Sequence, residues 1–381
     1  MAVQVFAGVC ALLALAGAAY YALCIWAALR FLSQRRATGA FAPPVSIMKS
    51  LKGVDPHMRA AFRSHCVLDY PEYEVLFGVS DLSDPAVALV HEVQAEFPQA
   101  KLRIVHCPQV LGTNGKVSNL AQMLPHAAYE HVLINDSDIL VEPDSLRRVM
   151  GCFVDANVLV VTTLYRAVAG SSFWSRLEAL GISTDFMSGV LVAGELEGGI
   201  KFALGATMAT TKSVLAGIGG LESLVDVLAD DYELGARAAA ARYRVDLADV
   251  VVETALPDYS WRDFWQHQLR WARNIKDRRT SQYVGLIVTF GLVWGILSAL
   301  LAPRAWWAWG ALVATALLRF AAAVATGDRV LRDPQIMHDL WLIPLRDFVA
   351  LLVWIASFFD NTIVWRGERF RLRDGKLTPL K

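Results

Sequence analysis

The run His131-Val132-Leu133-Ile134-Asn135-Asp136-Ser137-Asp138 decides the fold. Its first half is short, apolar and β-branched, as a buried strand should be, and it opens at once onto two carboxylates two residues apart. Similar strand-like runs recur at 45–48, 75–79, 102–106 and 158–162, each bounded by polar residues, Gly or Pro. Helical periods lie between them, for example at 86–97 and 117–127. Strand alternating with helix predicts parallel βαβ units and a doubly wound α/β sheet across residues 42–280. Such sheets bind ligands beyond the carboxyl ends of their strands, so the residues just after each strand are the candidates.

Asp136 and Asp138 form a hard-oxygen pair suited to Mg²⁺ or Mn²⁺ on a diphosphate, where a cation would neutralise charge on a leaving group. The competing reading is an Asx turn ahead of the next helix, although Asp144-Ser145 already resembles that cap. After the strand at 75–79, Asp84-Pro85 reads as a helix start, with Pro at the first helical position. Asp81 is not needed for that cap and is available to a base or sugar donor, with turn formation as the alternative. Asp230-Asp231 opens a helical stretch. The helix dipole accounts for Asp230, and Asp231 is placed to act as a general base. In Leu111-Gly112-Thr113-Asn114-Gly115-Lys116-Val117-Ser118-Asn119-Leu120, a glycine-bearing loop enters a helix, so Lys116 and backbone N–H groups are positioned for phosphate. The spacing is not that of a P-loop, and an ordinary turn with a solvated lysine stays open. Arg270-Trp271 lies in an aromatic, basic stretch at 261–279. Arginine there suits bidentate phosphate contacts, and a basic interfacial helix is the alternative. The eight histidines are scattered, which argues against zinc.

The two ends of the chain differ from this middle. From Val3 to Leu32 the only charge is Arg30. The run is long enough to span a bilayer, and Arg30, Arg35 and Arg36 follow it, which predicts a retained anchor (residues 1–36) whose C-terminal end is cytoplasmic. A second apolar block, 283–365, holds candidate spans at 284–302 and 306–325. A third stretch, 340–364, is interrupted by Arg346 and Asp347, which suits an interfacial or re-entrant helix, or a span starting after them, better than charges at mid-bilayer. The other spans are read as almost free of ionisable residues. The segment 366–381 reads as a basic cytoplasmic tail.

Composition agrees with membrane association. Of 381 residues, 55% are hydrophobic and only 19% charged, and the mean hydropathy is +0.39. Soluble domains are less apolar. Thirty-six basic residues balance thirty-six acidic ones, which argues against a nucleic-acid-coating protein. Five cysteines in this length exclude a disulfide scaffold.

Three separated Asp motifs followed by an Arg-Trp pair and membrane segments resemble the D, D, D, (Q/R)xxRW pattern of inverting family 2-like glycosyltransferases. The pattern is closest to the ceramide glucosyltransferase family and its bacterial relatives, including hopanoid-biosynthesis glycosyltransferases. The stretches Ser46-Ile47-Met48-Lys49-Ser50-Leu51-Lys52-Gly53-Val54-Asp55-Pro56, Leu68-Asp69-Tyr70-Pro71, Asp81 to Pro85, Gly115 to Leu120, Asp136 to Asp138, Asp230 to Tyr232 and Trp365 to Arg373 carry the likeness in order. The resemblance implies a GT-A (Rossmann-like) α/β cytoplasmic domain between an N-terminal transmembrane helix and C-terminal transmembrane or interfacial helices. It further implies a metal-assisted inverting transfer from a UDP-sugar, here UDP-glucose, to the primary hydroxyl of a membrane lipid. Ceramide is the expected acceptor. UDP-N-acetylglucosamine with a hopanoid, or less directly a processive polysaccharide synthase, is the alternative.

By the same resemblance, Lys52, Gly53 and Asp81 would hold the nucleotide, with Lys116 and Asn119 beside the donor. Asp136 and Asp138 would carry Mg²⁺ or Mn²⁺, Asp231 would be the base, and Arg270 and Trp271 would close over diphosphate and acceptor. His267 stands at the first position of (Q/R)xxRW, a departure from the pattern. The expected location is a bacterial inner membrane, with the catalytic domain facing the cytoplasm and no nucleic-acid partner. The segment from Phe173 to Leu191 is read either as an amphipathic entrance for the lipid or as an ordinary buried helix.

Overall fold

The computed structural model describes residues 1–34, 41–365 and 367–380. Arg35, Arg36 and Arg366, which bear on the expected anchor and tail, lie outside the described residues. The middle region is built on seven strands: β1 (Val45–Leu51), β2 (Tyr73–Val79), β3 (Leu102–His106), β4 (His131–Asn135), β5 (Val158–Val168), β6 (Thr207–Thr211) and β7 (Arg244–Ala255). Their order is β3-β2-β1-β4-β6-β5-β7. β1 pairs in parallel with β2 and β4, β2 with β3, and β5 with β7. β6 runs antiparallel between β4 and β5, so the sheet is parallel-dominated but mixed. Both faces of β1 are covered, so six of its seven residues are buried, Ser46 and Lys49 among them.

The carboxyl end of β4 is held in place by Asn135. Its amide donates to Ala206 O and to Thr207 Oγ1, both at 2.8 Å, and its Oδ1 meets His65 Nε2 at 3.0 Å. These bonds tie β4 to β6 immediately before Asp136. The expected helix start at Asp84-Pro85 is present: the Asp84 carboxylate accepts the Ala86 N–H at 2.8 Å, and Pro85 opens the helix Pro85–Glu96.

Among the described residues, four helical runs are long and apolar enough to cross a membrane: Ala2–Ser33, Phe173–Leu196, Thr280–Leu301 and Trp306–Val330. The first packs on the third through a glycine contact. A Cβ on Gly17 would lie 2.5 Å from Gly291 Cα, so only glycine lets these backbones approach so closely. Hydroxyls fasten the first run to the third and to the fourth. Ser298 Oγ donates to Ala7 O and Thr315 Oγ1 to Ala14 O, each at 3.0 Å, and Tyr21 Oη donates to Thr289 O at 2.7 Å.

The structure adds to the sequence expectation here. Arg346 and Asp347 lie inside the protein. Both are buried, Asp347 is bonded to Arg319 Nε at 3.0 Å, and Arg319 also bonds Asp185 at 2.5 Å. Arg319 is itself inside the run Trp306–Val330, so that run is not free of charge; a paired charge inside a bundle avoids the penalty of an isolated one. The helix after residue 340, Ile343–Ala356, has 14 residues and is followed by a strand. The segment Phe173–Leu196 is mostly buried. Its inner face is fixed by Ser183 to Asp333 at 2.7 Å and Ser188 to Thr326 at 2.9 Å, as the buried-helix reading requires.

The C-terminal stretch is folded. β8 (Thr362–Trp365), β9 (Glu368–Arg373) and β10 (Lys376–Pro379) form a small antiparallel sheet. Leu228 N–H donates to Gly375 O at 3.1 Å and Leu377 N–H to Asp226 O at 2.9 Å. The sheet therefore braces the loop that leads into Asp230-Asp231.

Candidate active site

Asp136, Asp230 and Asp231 come from two separate elements and meet at the carboxyl edge of the sheet. β4 delivers Asp136, and the helix Asp230–Ala240 delivers the other two in its first turn. Lys116, at the start of the helix Gly115–Met123, reaches between them. Its Nζ lies 2.6 Å from Asp136 Oδ1 and 3.5 Å from Asp230 Oδ2. Asn114 caps that helix and ties it to the same loop, donating to Val227 O at 2.8 Å and to Asp230 Oδ1 at 3.3 Å. Gly205, just before β6, lies against both carboxylates. A Cβ there would stand 3.0 Å from Asp231 Oδ2 and 3.6 Å from Asp136 Oδ2. The missing side chain keeps this face of the two aspartates open.

Burial and charge tune these groups. Burial and then Asp230 raise the Asp231 carboxyl to about 6, against the lowering effect of Lys116 and of the Tyr232 N–H, which donates to Asp231 Oδ1 at 2.7 Å. A base of that kind is ionised near neutral pH yet holds a proton readily. Burial works against the Lys116 charge, but Asp136, Asp230 and Asp231 outweigh it and hold the ammonium above its usual range. Asp138 is raised by burial and by Asp136; its Oδ2 accepts from the Thr254 hydroxyl and, at 3.2 Å, from the Ala255 N–H.

The Asp136–Asp138 pair has the chemistry of a divalent-ion site. Two hard carboxylates sit at a strand end, Asp136 is 40% exposed, and the charge of Asp138 is opposed by burial and by its neighbour. A divalent cation would relieve that opposition, so the residues fit one. No group of three or more His, Cys, Asp or Glu able to hold a metal comes together among the described residues. The rest of a coordination shell would be substrate or water.

The second wall is the helix Trp261–Arg278, started by a Ser260–Asp263 capping box. His267 stacks on Tyr259 (ring centroids 5.6 Å) and meets a tilted Trp271 ring on its other side (5.4 Å), and Trp271 packs on Phe186 (5.2 Å). The Tyr259 hydroxyl is raised by burial and by Glu178, while Arg270 lowers it, which places Arg270 on this wall. Tyr165 links the two walls. Burial raises its hydroxyl, as do Asp231, Asp136, Glu178 and Asp138, so it lies within electrostatic reach of all four.

The expected nucleotide residues are more dispersed. Lys52 is exposed. Gly53 takes a positive φ of 70° and donates its N–H to Asp84 Oδ2 at 2.8 Å. Asp81 is exposed and accepts the Ser83 N–H at 2.8 Å, the turn contact foreseen as its alternative. Asn119 is buried, donating to Ser50 Oγ at 3.1 Å and Gly78 O at 3.4 Å. It holds the ends of β1 and β2 rather than presenting its amide to solvent.

Sequence reasoning missed Lys49, Tyr165, Glu178 and Gly205. Lys49 is fully buried under the Asp136 turn and donates to Asp136 O at 2.9 Å. Burial pulls its ammonium down to about 7, against Asp138 and Asp136. The available signal was a lysine in the middle of a short strand flanked by Ile47, Met48 and Leu51.

The fold and this arrangement of carboxylates at the sheet edge define a GT-A glycosyltransferase. The mannosyltransferase PcManGT from Pyrobaculum calidifontis, solved in complex with GDP-Man and Mn²⁺, superposes with a TM-score of 0.57 at 20% identity, covering 93% of this chain and 97% of that one. The sequence pattern of glycosyl transferase family 21 matches residues 9–378, and the chain belongs to that family. It is a hexosyltransferase. It is similar to ceramide glucosyltransferase 1 of Caenorhabditis elegans, 24% identical over 353 residues, which is 87% of this chain and 72% of the relative. A ceramide glucosyltransferase of Komagataella phaffii is 32% identical over 108 residues, 27% of this chain and 21% of the relative.

Proposed function

We propose that this chain transfers glucose from UDP-glucose to the primary hydroxyl of ceramide, with inversion, to give a β-glucoside. The observation that carries this is the convergence of Asp136, Lys116 and Asp231 around the bare Cα of Gly205. Asp231 Oδ2 takes the acceptor proton as the acceptor oxygen bonds to C1. The bond from C1 to the diphosphate oxygen breaks, and UDP leaves on the opposite face. Near neutral pH a base held at about 6 is mostly ready for that proton. Lys116 lies where the diphosphate would develop charge, and Arg270 and Trp271 would close the opposite wall. Asp136 and Asp138 would hold a Mg²⁺ or Mn²⁺ ion, which when bound supplies charge neutralisation to the leaving diphosphate. His267 would contact the donor, Lys52, Gly53 and Asp81 would line the nucleotide side, and Asn119 would support it from within.

The membrane assignment fits the acceptor. Four apolar helices are available, and Arg30, in the last turn of the first, matches a catalytic domain on the cytoplasmic side. The chemistry is tested with two variants. Asp231→Asn keeps UDP-glucose binding and removes turnover, whereas Asp136→Ala weakens metal-dependent nucleotide binding. Near-normal turnover in Asp231→Asn removes it as the base, and unchanged metal-dependent binding in Asp136→Ala removes the metal assignment.

A further inference from the structure

Glu178 lies on the helix Phe173–Gly181, opposite the helix that carries Arg270 and Trp271. Its side chain is 0% exposed. A buried carboxylate is costly unless a charged or hydrogen-bonding partner meets it. The partner here is His267, whose Nδ1 contacts Glu178 Oε1. Among the described residues neither carboxylate oxygen has a hydrogen bond of ordinary geometry, so the ion-pair contact with His267 is what meets this buried charge. The imidazole is itself 19% exposed and held between the Tyr259 and Trp271 rings. With Nδ1 turned to Glu178, Nε2 is the nitrogen left for a ligand.

We propose that Glu178 is a positioning residue of this transferase: its buried carboxylate fixes the ring orientation of His267, so that Nε2 and the neighbouring Trp271 are presented to the bound substrate. An imidazole set by a buried carboxylate is pre-organised and loses little freedom when substrate arrives. The arrangement also accounts for histidine at a position where the resembling pattern has Gln or Arg, since Glu178 supplies the constraint that a lone imidazole lacks. The catalytic part of the proposal rests on reading His267 as a substrate contact. The pairing does not.

The test has two arms on the full-length chain in lipid nanodiscs. In the first, the protein is labelled with ¹⁵N-histidine, and the His267 ring signals are assigned by their loss in His267→Gln. Glu178→Gln shifts the Nδ1 signal and leaves the other histidines in place; an unchanged Nδ1 signal overturns the pairing. In the second, kcat and KM for UDP-glucose are measured in a double-mutant cycle. Glu178→Gln lowers kcat roughly tenfold to a hundredfold, the range for removing a group that orients an active side chain. In the His267→Gln background it changes kcat less than about twofold, the non-additivity expected of a residue acting through its neighbour. An equal loss in both backgrounds, accompanied by a lower melting temperature, overturns the positioning role. If Glu178→Gln does not fold, Glu178→Asp keeps the charge, withdraws it from the ring and is read in the same way. A wild-type protein that transfers no glucose to ceramide refutes the substrate reading, while the labelling arm still decides the pairing.

Discussion

Replacing Asp231 with Asn should make the protein more stable while it abolishes turnover. Burial and Asp230 lift the Asp231 carboxyl from the ordinary aspartate value of 3.8 to about 6. A folded-state value above the unfolded one means that ionising this group costs the folded protein. Two pH units at roughly 1.4 kcal/mol each amount to about 3 kcal/mol at neutral pH. The sign follows from which form is present. Below about pH 4 the group is protonated in both states and there is no penalty. As the pH rises through about 6 the folded protein takes on the full cost, which the amide never incurs. At roughly 2 °C per kcal/mol for a chain of this size, the Asn variant should melt about 5 °C higher at pH 7.5, with the gap closing toward pH 4.5. The assay is thermal unfolding of metal-free protein in detergent across that range. An Asn variant no more stable than wild type at pH 7.5, or a difference independent of pH, refutes the argument. The same value predicts that wild-type kcat/KM falls about tenfold per pH unit below about 6.

Other outcomes follow from individual contacts. Lys116→Met removes the cation that holds Asp231 down, so the acid limb of the rate profile moves to higher pH and kcat/KM drops roughly tenfold to a hundredfold, as measured by steady-state kinetics. Gly17→Ala places a methyl against Gly291 Cα and should cost about 1–3 kcal/mol, seen as a lower melting temperature with Asp231 chemistry intact. Arg319→Met strands Asp185 and Asp347 in the bundle and should cost about 3–5 kcal/mol, and adding Asp347→Asn should recover part of the loss.

The parallel core was legible because its strands are short, rich in apolar and β-branched residues, and bounded by polar residues, Gly or Pro. β1, β2 and β4 are almost wholly buried, β3 is the half-exposed edge, and the Asp136 turn sits where the β4 run ends. β6 and β7 were not foreseen. β6 is Thr-Met-Ala-Thr-Thr, with little strand signal of its own, and is stabilised by pairing with β4 and β5. β7 carries Asp246, Asp249 and Glu253 on a strand whose pairing with β5 slips register, so its alternation is broken. Asp231 was legible from its place at a helix start, but its closeness to Asp136 depends on Gly205, which has no side chain to announce a role. Glu178 and Arg319 were hidden for a related reason. Each is a charge inside an apolar helix, and its partner, His267 or Asp347, is distant in sequence.

The central claim is that the carboxylate edge joins a glucosyl donor to a lipid hydroxyl with inversion. The most direct measurement incubates the purified chain in nanodiscs with UDP-glucose, ceramide and Mg²⁺ or Mn²⁺, and determines the product by mass and by the coupling of its anomeric proton. UDP-N-acetylglucosamine and a hopanoid serve as the competing donor and acceptor. The account predicts β-glucosylceramide, absent with Asp231→Asn. An α-linked product, transfer only to the hopanoid, or undiminished transfer by Asp231→Asn would contradict it.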